Sequence, residues 1–297
     1  MDNEMILQLN FSGDCRNNCG FCTKTNDPSQ NMSVEEAKNN IEYFLSAGII
    51  KRLILSGGEI YDDNRFYDLL KCLSNYKLKE KVIITSGKGL SKSLIELVNS
   101  FFDRIVLSIT PDSENYINEE EFKEKIIFMH RLTKPEIQTN TVIHGQNLNY
   151  VDTTVYKLKD MDIVFPTLTL VFPIGKVNSQ SGYLTSKKNI VPVIERLAVE
   201  FADSGKPPVI KGVPACYISP EIRQYVGHSE KEGKYYVTKK RQLKNSISFA
   251  ENLPFIKHTS CTECRLYSKC DGFWDIYIKE GYFSVPSPIM NDMQYRG

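Results

Sequence analysis

No run in this sequence approaches the roughly 20 consecutive apolar residues that a membrane-spanning helix needs, and its start, MDNEMILQLNF, is acidic and strand-like at once. That opening excludes the basic start and long apolar region of a secretory signal. Charge of one sign is missing as well. Lys+Arg number 37 against Asp+Glu 36, a net of +1, so no overall field draws the chain to nucleic acid or to acidic membrane. The four histidines are scattered without ligand spacing and none is assigned a role. A GxxxxGK[ST] phosphate loop is also absent. With the first strand starting at Met5, no fused leader-peptide-binding or cobalamin domain is expected, and any leader-binding protein would be a separate partner. A cytoplasmic setting is expected, with neither membrane nor nucleic acid as partner.

What is present begins with cysteine. At 297 residues the chain can bury one large core with an appendage, and in a cytosolic chain its eight cysteines argue for metal ligation over disulfides. They fall into Cys15, Cys19 and Cys22; then Cys216, Cys261, Cys264 and Cys270; and Cys72 alone, which lies in a helical stretch and reads as a core thiol. The first three sit in Cys15-Arg-Asn-Asn-Cys19-Gly-Phe-Cys22, directly after the apolar run Met5 to Phe11, so one loop turns three sulfurs toward one object. Zinc would need a fourth nearby ligand, and Cys72, His130 and His144 are remote in sequence. A 4Fe-4S cluster held by three cysteines keeps one iron open for a small ligand.

This CxxxCxxC spacing, with aromatic Phe21 before the last cysteine, resembles the signature of the radical S-adenosylmethionine (SAM) enzymes. The resemblance implies that the open iron chelates SAM and that the reduced cluster cleaves it to methionine and a 5'-deoxyadenosyl radical, which takes a hydrogen atom from the substrate. It also implies that Phe21 flanks the adenine, and that an external electron donor such as flavodoxin or ferredoxin feeds the cluster.

Downstream residues support the loop. Ser33 and Glu36 have capping-box spacing, and Ala37, Ile41, Phe44 and Leu45 recur at helical intervals until Gly48. A strand, Arg52 to Leu55, then ends in Ser56-Gly57-Gly58-Glu59. Strand, loop, helix and strand form one βαβ unit, whose right-handed crossover puts both loops at the same C-terminal edge. Two glycines let backbone approach a ligand closely; in the resembled family Gly57, Gly58 and Glu59 would contact the methionine amino group of SAM. Further alternation gives strands at Lys81 to Thr85, Arg104 to Ile109, Glu136 to Ile143 and Thr167 to Val171, with helices at Phe66 to Leu73, Ser91 to Ser100, Glu119 to Leu132 and Asn149 to Asp160. The expected fold class is therefore α/β, and the resemblance makes it a partial (β/α)6 TIM-like barrel, open at one side. By the same resemblance Ser108, Asn140 and the Pro173-Ile174-Gly175 turn would add SAM contacts. The chain departs from many relatives after Ser108, where Ile109-Thr110-Pro111-Asp112 replaces a Ser-Leu-Asp-Gly turn.

Pro207-Pro208 ends the alternation, dividing an expected barrel, 1–205, from a C-terminal region, 206–297. There Cys261-Thr-Glu-Cys264 and Cys270 followed by Asp271-Gly272 resemble the auxiliary-cluster extensions called SPASM and twitch. With Cys216 they number enough for one fully ligated second 4Fe-4S cluster. Two other readings stand beside it: a structural zinc ribbon on the same cysteines, and a cluster on three of them with Cys216 free as a hydrogen-atom donor. The stretch His228 to Lys244 mixes lysines with Tyr235 and Tyr236 and reads as a solvated hairpin, or as a holder of acidic or phosphorylated substrate. The expected substrate is a ribosomally made peptide, to be crosslinked or epimerised; the alternative is a small sugar, aminocyclitol or nucleotide.

Overall fold

The computed structural model describes residues 4–23, 27–89, 91–178, 181–227, 234–239, 244–245 and 255–290. In chain order these form β1 (Glu4–Ser12), α1 (Val34–Ala47), β2 (Ile49–Gly57), α2 (Phe66–Leu73), β3 (Glu80–Thr85), α3 (Lys92–Phe101), β4 (Arg104–Ser108), α4 (Glu120–Arg131), β5 (Glu136–Ile143), α5 (Val151–Leu158), β6 (Phe165–Leu170), α6 (Lys187–Asp203), β7 (Val209–Lys211), β8 (Lys234–Val237), β9 (Lys244–Asn245), β10 (Phe255–Ile256), β11 (Phe273–Trp274) and α7 (Asp275–Lys279). One nine-stranded sheet runs β7-β6-β5-β4-β3-β2-β1-β8-β9. Every neighbouring pair from β7 through β8 is parallel, and only β8–β9 is antiparallel. The expected α/β barrel is what the chain forms.

The period of the strands explains the layering. Alternate residues face opposite sides of a sheet, and Leu7, Leu9, Leu53, Leu55, Ile83, Ile105 and Leu107 are buried on the helix side against α1, α2 and α3 residues such as Ile41, Leu69 and Val98. The other side carries hydrogen-bonding groups: Gln8 donates to Ser56 Oγ (3.0 Å), Gln138 to Thr167 Oγ1 (3.0 Å), and Thr169 Oγ1 to Asn140 Oδ1 (2.7 Å). At the N-terminal end of the strands an ion ladder crosses the sheet, with Arg52–Glu80 at 2.5 Å, Glu80–Arg104 at 3.3 Å and Arg104–Glu136 at 2.8 Å. Paired charge thus marks this end of the sheet.

Local signals account for the elements. Ser33 Oγ accepts from the Glu36 amide (3.1 Å) while the Glu36 carboxylate accepts from the Ser33 amide (2.7 Å), closing the expected capping box at α1. Helix α6 escaped the sequence reading because Pro192 lies inside it, although Ile190, Ile194, Leu197, Ala198 and Phe201 bury one stripe. Cys72 is not the core thiol expected. It falls beside the buried stripe of α2, which consists of Phe66, Leu69, Leu70 and Leu73, and is only half-buried in the outer helix layer.

The region after Pro207-Pro208 returns to the sheet twice, β7 lying against β6 and β8 against β1. The Tyr pair in β8 reflects strand alternation: Tyr235 packs on Phe44 of α1 (4.8 Å) while Tyr236 registers with Gln8 on the opposite face. Residues 228–233, 240–243 and 246–254 lie outside the described residues, so the rest of that expected hairpin is not placed. The final segment docks on the barrel through aromatic rings. Phe273, Trp274 and Tyr277 are fully buried; Trp274 meets Phe172 (5.1 Å) and Phe255 (4.1 Å), and Tyr277 Oη donates to the Val171 carbonyl (3.0 Å).

Ser33→Ala should lower unfolding stability by about 1 kcal/mol by removing the α1 cap. A urea titration should show an earlier midpoint at unchanged slope.

Candidate active site

The cysteine loop leaves β1 at Ser12 and crosses the C-terminal edge of the sheet. Cys15, Cys19 and Cys22 are all half-buried, and the Cys22 amide donates to the Cys19 carbonyl (3.3 Å), forming the turn between them. Burial pushes the Cys19 thiol up, and the neighbouring Cys22 and Cys15 add to it. The residues between Cys15 and Cys19 each reach a different strand end. Arg16 Nε lies 3.5 Å from the Asp62 carboxylate. Asn17 Nδ2 donates to Ser86 Oγ (2.8 Å) and to Glu59 (3.3 Å). Asn18, held at φ 45°, accepts from Lys176 Nζ (2.7 Å). Their amide and guanidinium groups were visible in the sequence, but nothing there said where they reached.

Two glycines let other loops press on this one. A Cβ at Gly58 would lie 1.6 Å from the Asp14 carbonyl oxygen and 2.9 Å from Cys15 Cβ, and the Gly58 amide donates to Ser12 O (2.7 Å). Gly175, at φ +70°, would place a Cβ 2.6 Å from the Cys22 carbonyl oxygen, to which the Lys176 amide donates (3.1 Å). The turns after β2 and β6 therefore clamp opposite ends of the cysteine loop by backbone contact. The expected convergence of Gly57, Gly58 and the cysteines at one edge is what the fold provides.

Glu59 turns inward. It is 3% exposed, and its carboxylate accepts from Thr85 Oγ1 (2.6 Å), the Ser86 amide (2.8 Å), Ser86 Oγ (2.5 Å) and Asn17. Burial pushes its carboxyl above the usual range, against which the Ser86 and Thr85 hydrogen bonds act. Glu59 thereby ties the turns after β2 and β3 to the cysteine loop.

Ser108 and Asn140 are register partners on β4 and β5. Beneath them lies Lys125, 3% exposed, whose ammonium donates to the Ser108 carbonyl (3.1 Å), Tyr116 Oη (3.0 Å) and Glu121 (2.7 Å). Sequence reasoning missed it, and its signal was a lysine standing in the apolar stripe Phe122, Lys125, Phe128 and Met129 of α4. His144, just past β5, was also given no role. It is 1% exposed, stacks on Phe21 (5.3 Å, 29°) and meets the edge of Tyr183 (5.0 Å, 82°). Burial pushes its pKa down to about 4, and neither ring nitrogen has a hydrogen-bond partner. Each such orphan costs about 1–3 kcal/mol.

A second constellation forms in the C-terminal region. Cys216, Cys261, Cys264 and Cys270 line one cavity with Lys257 and Tyr267, so Cys216 does not stand apart from the other three. The Gly272 amide donates to Cys270 Sγ (3.3 Å) and the Ile289 amide to Cys264 Sγ (3.5 Å). Burial, with the other three thiols adding, pushes Cys216 up to about 12. Among the described residues no group of three or more His, Cys, Asp or Glu is arranged to hold a single metal ion.

Comparison with known proteins agrees with this geometry. Residues 9–157 match the family model described as the radical SAM superfamily. The chain is 28% identical over 111 residues to the S-adenosylmethionine-dependent nucleotide dehydratase RSAD2 of Oncorhynchus mykiss, a match covering 36% of this chain and 31% of that protein. In fold it is similar to Streptococcus suis SuiB bound to S-adenosylmethionine, with TM-score 0.66, 14% identity, 97% of this chain and 77% of SuiB covered. It is similar also to native anSMEcpe with bound AdoMet and Cp18Cys peptide, with TM-score 0.64, 12% identity, 91% of this chain and 88% of that one.

Gly58→Ala should weaken iron retention at Cys15, Cys19 and Cys22 about tenfold by displacing the loop, as mutations supporting a metal site do. Iron analysis after anaerobic reconstitution, with circular dichroism unchanged, would check this; full iron content would mean that the loop does not depend on the clamp.

Proposed function

This chain belongs to the radical SAM superfamily and is an enzyme of SAM-dependent radical chemistry using a 4Fe-4S cluster; on that footing we propose how its residues divide the work. Cys15, Cys19 and Cys22 hold the catalytic cluster, and the observation that carries this is Gly58 backbone pressed against Asp14 and Cys15 at the strand ends. When bound, the cluster supplies the electron that cleaves SAM to methionine and a 5'-deoxyadenosyl radical. Gly57, Gly58 and Glu59 place the methionine. Glu59 does so with its carboxylate already anchored by Ser86 and Thr85, so it sets the turn that the ligand meets. Phe21 flanks the adenine, and Ser108 and Asn140 face the bound cofactor from β4 and β5.

Cys216, Cys261, Cys264 and Cys270 hold a second, auxiliary 4Fe-4S cluster. The four thiols line one cavity. Four thiolates can close a zinc tetrahedron or ligate an iron-sulfur cube fully, and the radical SAM barrel that precedes them favours the cube. A fully ligated cube offers no open iron to substrate and serves as an electron relay. The amide donors to Cys264 and Cys270 suit that role, since hydrogen bonds to sulfur help set a cluster's potential.

The substrate is a ribosomally made peptide. Two proteins of similar fold bind peptide, SuiB with precursor peptide SuiA and anSMEcpe with Cp18Cys peptide. In this chain the inner barrel face is neutral, its amides and hydroxyls from Gln8, Gln138, Asn140, Thr167 and Thr169 hydrogen-bonded across the strands, which suits an uncharged peptide backbone better than a phosphate. A nucleotide is the second reading, favoured by the RSAD2 match. Lys88 and Lys125, which act on Cys19 electrostatically, are both paired with Glu121, and Lys176 is bound to Asn18, which leaves less charge for phosphate. An external flavodoxin- or ferredoxin-type donor reduces the catalytic cluster.

Anaerobic reconstitution should load about eight irons per chain, falling to about four when Cys15, Cys19 and Cys22 are all replaced by Ala. Mössbauer spectra and iron analysis decide it. About four irons falling to none, with zinc retained, would overturn the auxiliary cluster.

A further inference from the structure

His144 lies beside the cysteine loop and has no part in the proposed function, and its placement is costly. Both ring nitrogens are buried without a partner, in a box walled by the Phe21 face and the Tyr183 edge. A phenylalanine would fill such a box without that cost, because replacing polar groups by apolar ones of the same shape is close to neutral or stabilising. Nearby polar groups are already committed. The Asn147 carboxamide oxygen accepts from the His144 backbone amide (2.9 Å) and its Nδ2 donates to Val142 O (2.9 Å), while the Gly145 amide donates to the Tyr183 carbonyl (2.7 Å). Water needs two to four polar partners to be held, and of the aromatic walls only Tyr183 carries a polar atom, a hydroxyl that lies against Gly20. Buried polar groups left unsatisfied in a native fold call for a functional reason.

The occupant follows from chemistry and position. Phe21 belongs to the cysteine loop, and His144 follows β5 at the edge where that loop and Asn140 lie. Tyr183 comes from the segment after β6, is half-buried, and packs its hydroxyl against Gly20 of the cysteine loop. A neutral imidazole offers one donor and one acceptor. An adenine edge offers the complement, an exocyclic amine beside a ring nitrogen, and its plane can stack on Phe21. We infer that His144 hydrogen-bonds the adenine of SAM, with Tyr183 moving aside, and that this residue sets the enzyme's preference for the purine. The inference rests on the SAM site proposed above.

The test measures binding, not turnover. Equilibrium dialysis of SAM, 5'-deoxyadenosine and methionine would be run on anaerobically reconstituted wild type, His144→Phe and His144→Gln, with iron content and ligand-free Tm recorded. His144→Phe should bind SAM and 5'-deoxyadenosine about tenfold more weakly, bind methionine as wild type does, keep its iron, and melt at the same or a higher temperature without ligand. His144→Gln, which keeps a donor and an acceptor, should recover part of the purine affinity. Unchanged nucleoside affinity in His144→Phe, equal weakening of methionine, or loss of iron and Tm together would overturn the inference and make His144 a packing residue. Wild type that fails to bind SAM at all would instead remove the cofactor site on which it rests.

Discussion

The contact on which the active-site region depends is one of backbone with backbone: Gly58 against the Asp14 carbonyl, at a distance that leaves no room for a methyl group. A parallel sheet delivers every strand's C-terminal turn to one edge, but delivery alone does not fix a flexible loop. Gly58 from the turn after β2 and Gly175 from the turn after β6 pin the loop at its two ends, next to Cys15 and Cys22. Side chains then fix its middle. Arg16, Asn17 and Asn18 reach Asp62, the Glu59–Ser86 pair and Lys176, so the three residues that separate the first two cysteines also locate them.

Polarity is distributed along the strands to the same end. The Arg52, Glu80, Arg104 and Glu136 ladder holds paired charge at the N-terminal end, where partly exposed pairs contribute modestly to stability and give neighbouring strands a sequence-specific alignment. The inner face above it is neutral and hydrogen-bonded. At the C-terminal edge the buried charges are Glu59 and Lys125, each held by several partners. Any charge that the cofactors bring therefore meets a frame whose own charges are already compensated.

Legibility from sequence followed the range of the interaction. The βαβ alternation, the Ser33–Glu36 cap and the Gly57-Gly58-Glu59 turn are encoded within a few residues, and the structure has them where the spacing puts them. The radical SAM family was readable from Cys15, Cys19 and Cys22 because cysteine spacing is local chemistry. What stayed hidden was long-range or contrary to local preference. Helix α6 carries Pro192, β7 and β8 are short strands that gain order from the barrel edges, and Lys125 and His144 are polar residues buried by tertiary context. Cys72 shows the opposite error: apolar neighbours in sequence suggested a core position, but it lies one step off the buried stripe.

The C-terminal cysteines add a coupling that neither half of the chain has alone. Cys216 follows β7, which is hydrogen-bonded into the barrel sheet, while Cys261, Cys264 and Cys270 belong to the segment that docks through Phe273, Trp274 and Tyr277. A group bound by all four thiols would join barrel and appendage across a long stretch of intervening chain. Metal binding to such a set would contribute directly to folding free energy, and the aromatic interface would then need only to bring the thiols near one another. Phe172 and Val171, which receive Trp274 and Tyr277, directly follow β6 and precede the Gly175 turn that clamps Cys22. Order at the appendage is thus mechanically continuous with order at the cysteine loop, through one short run of backbone.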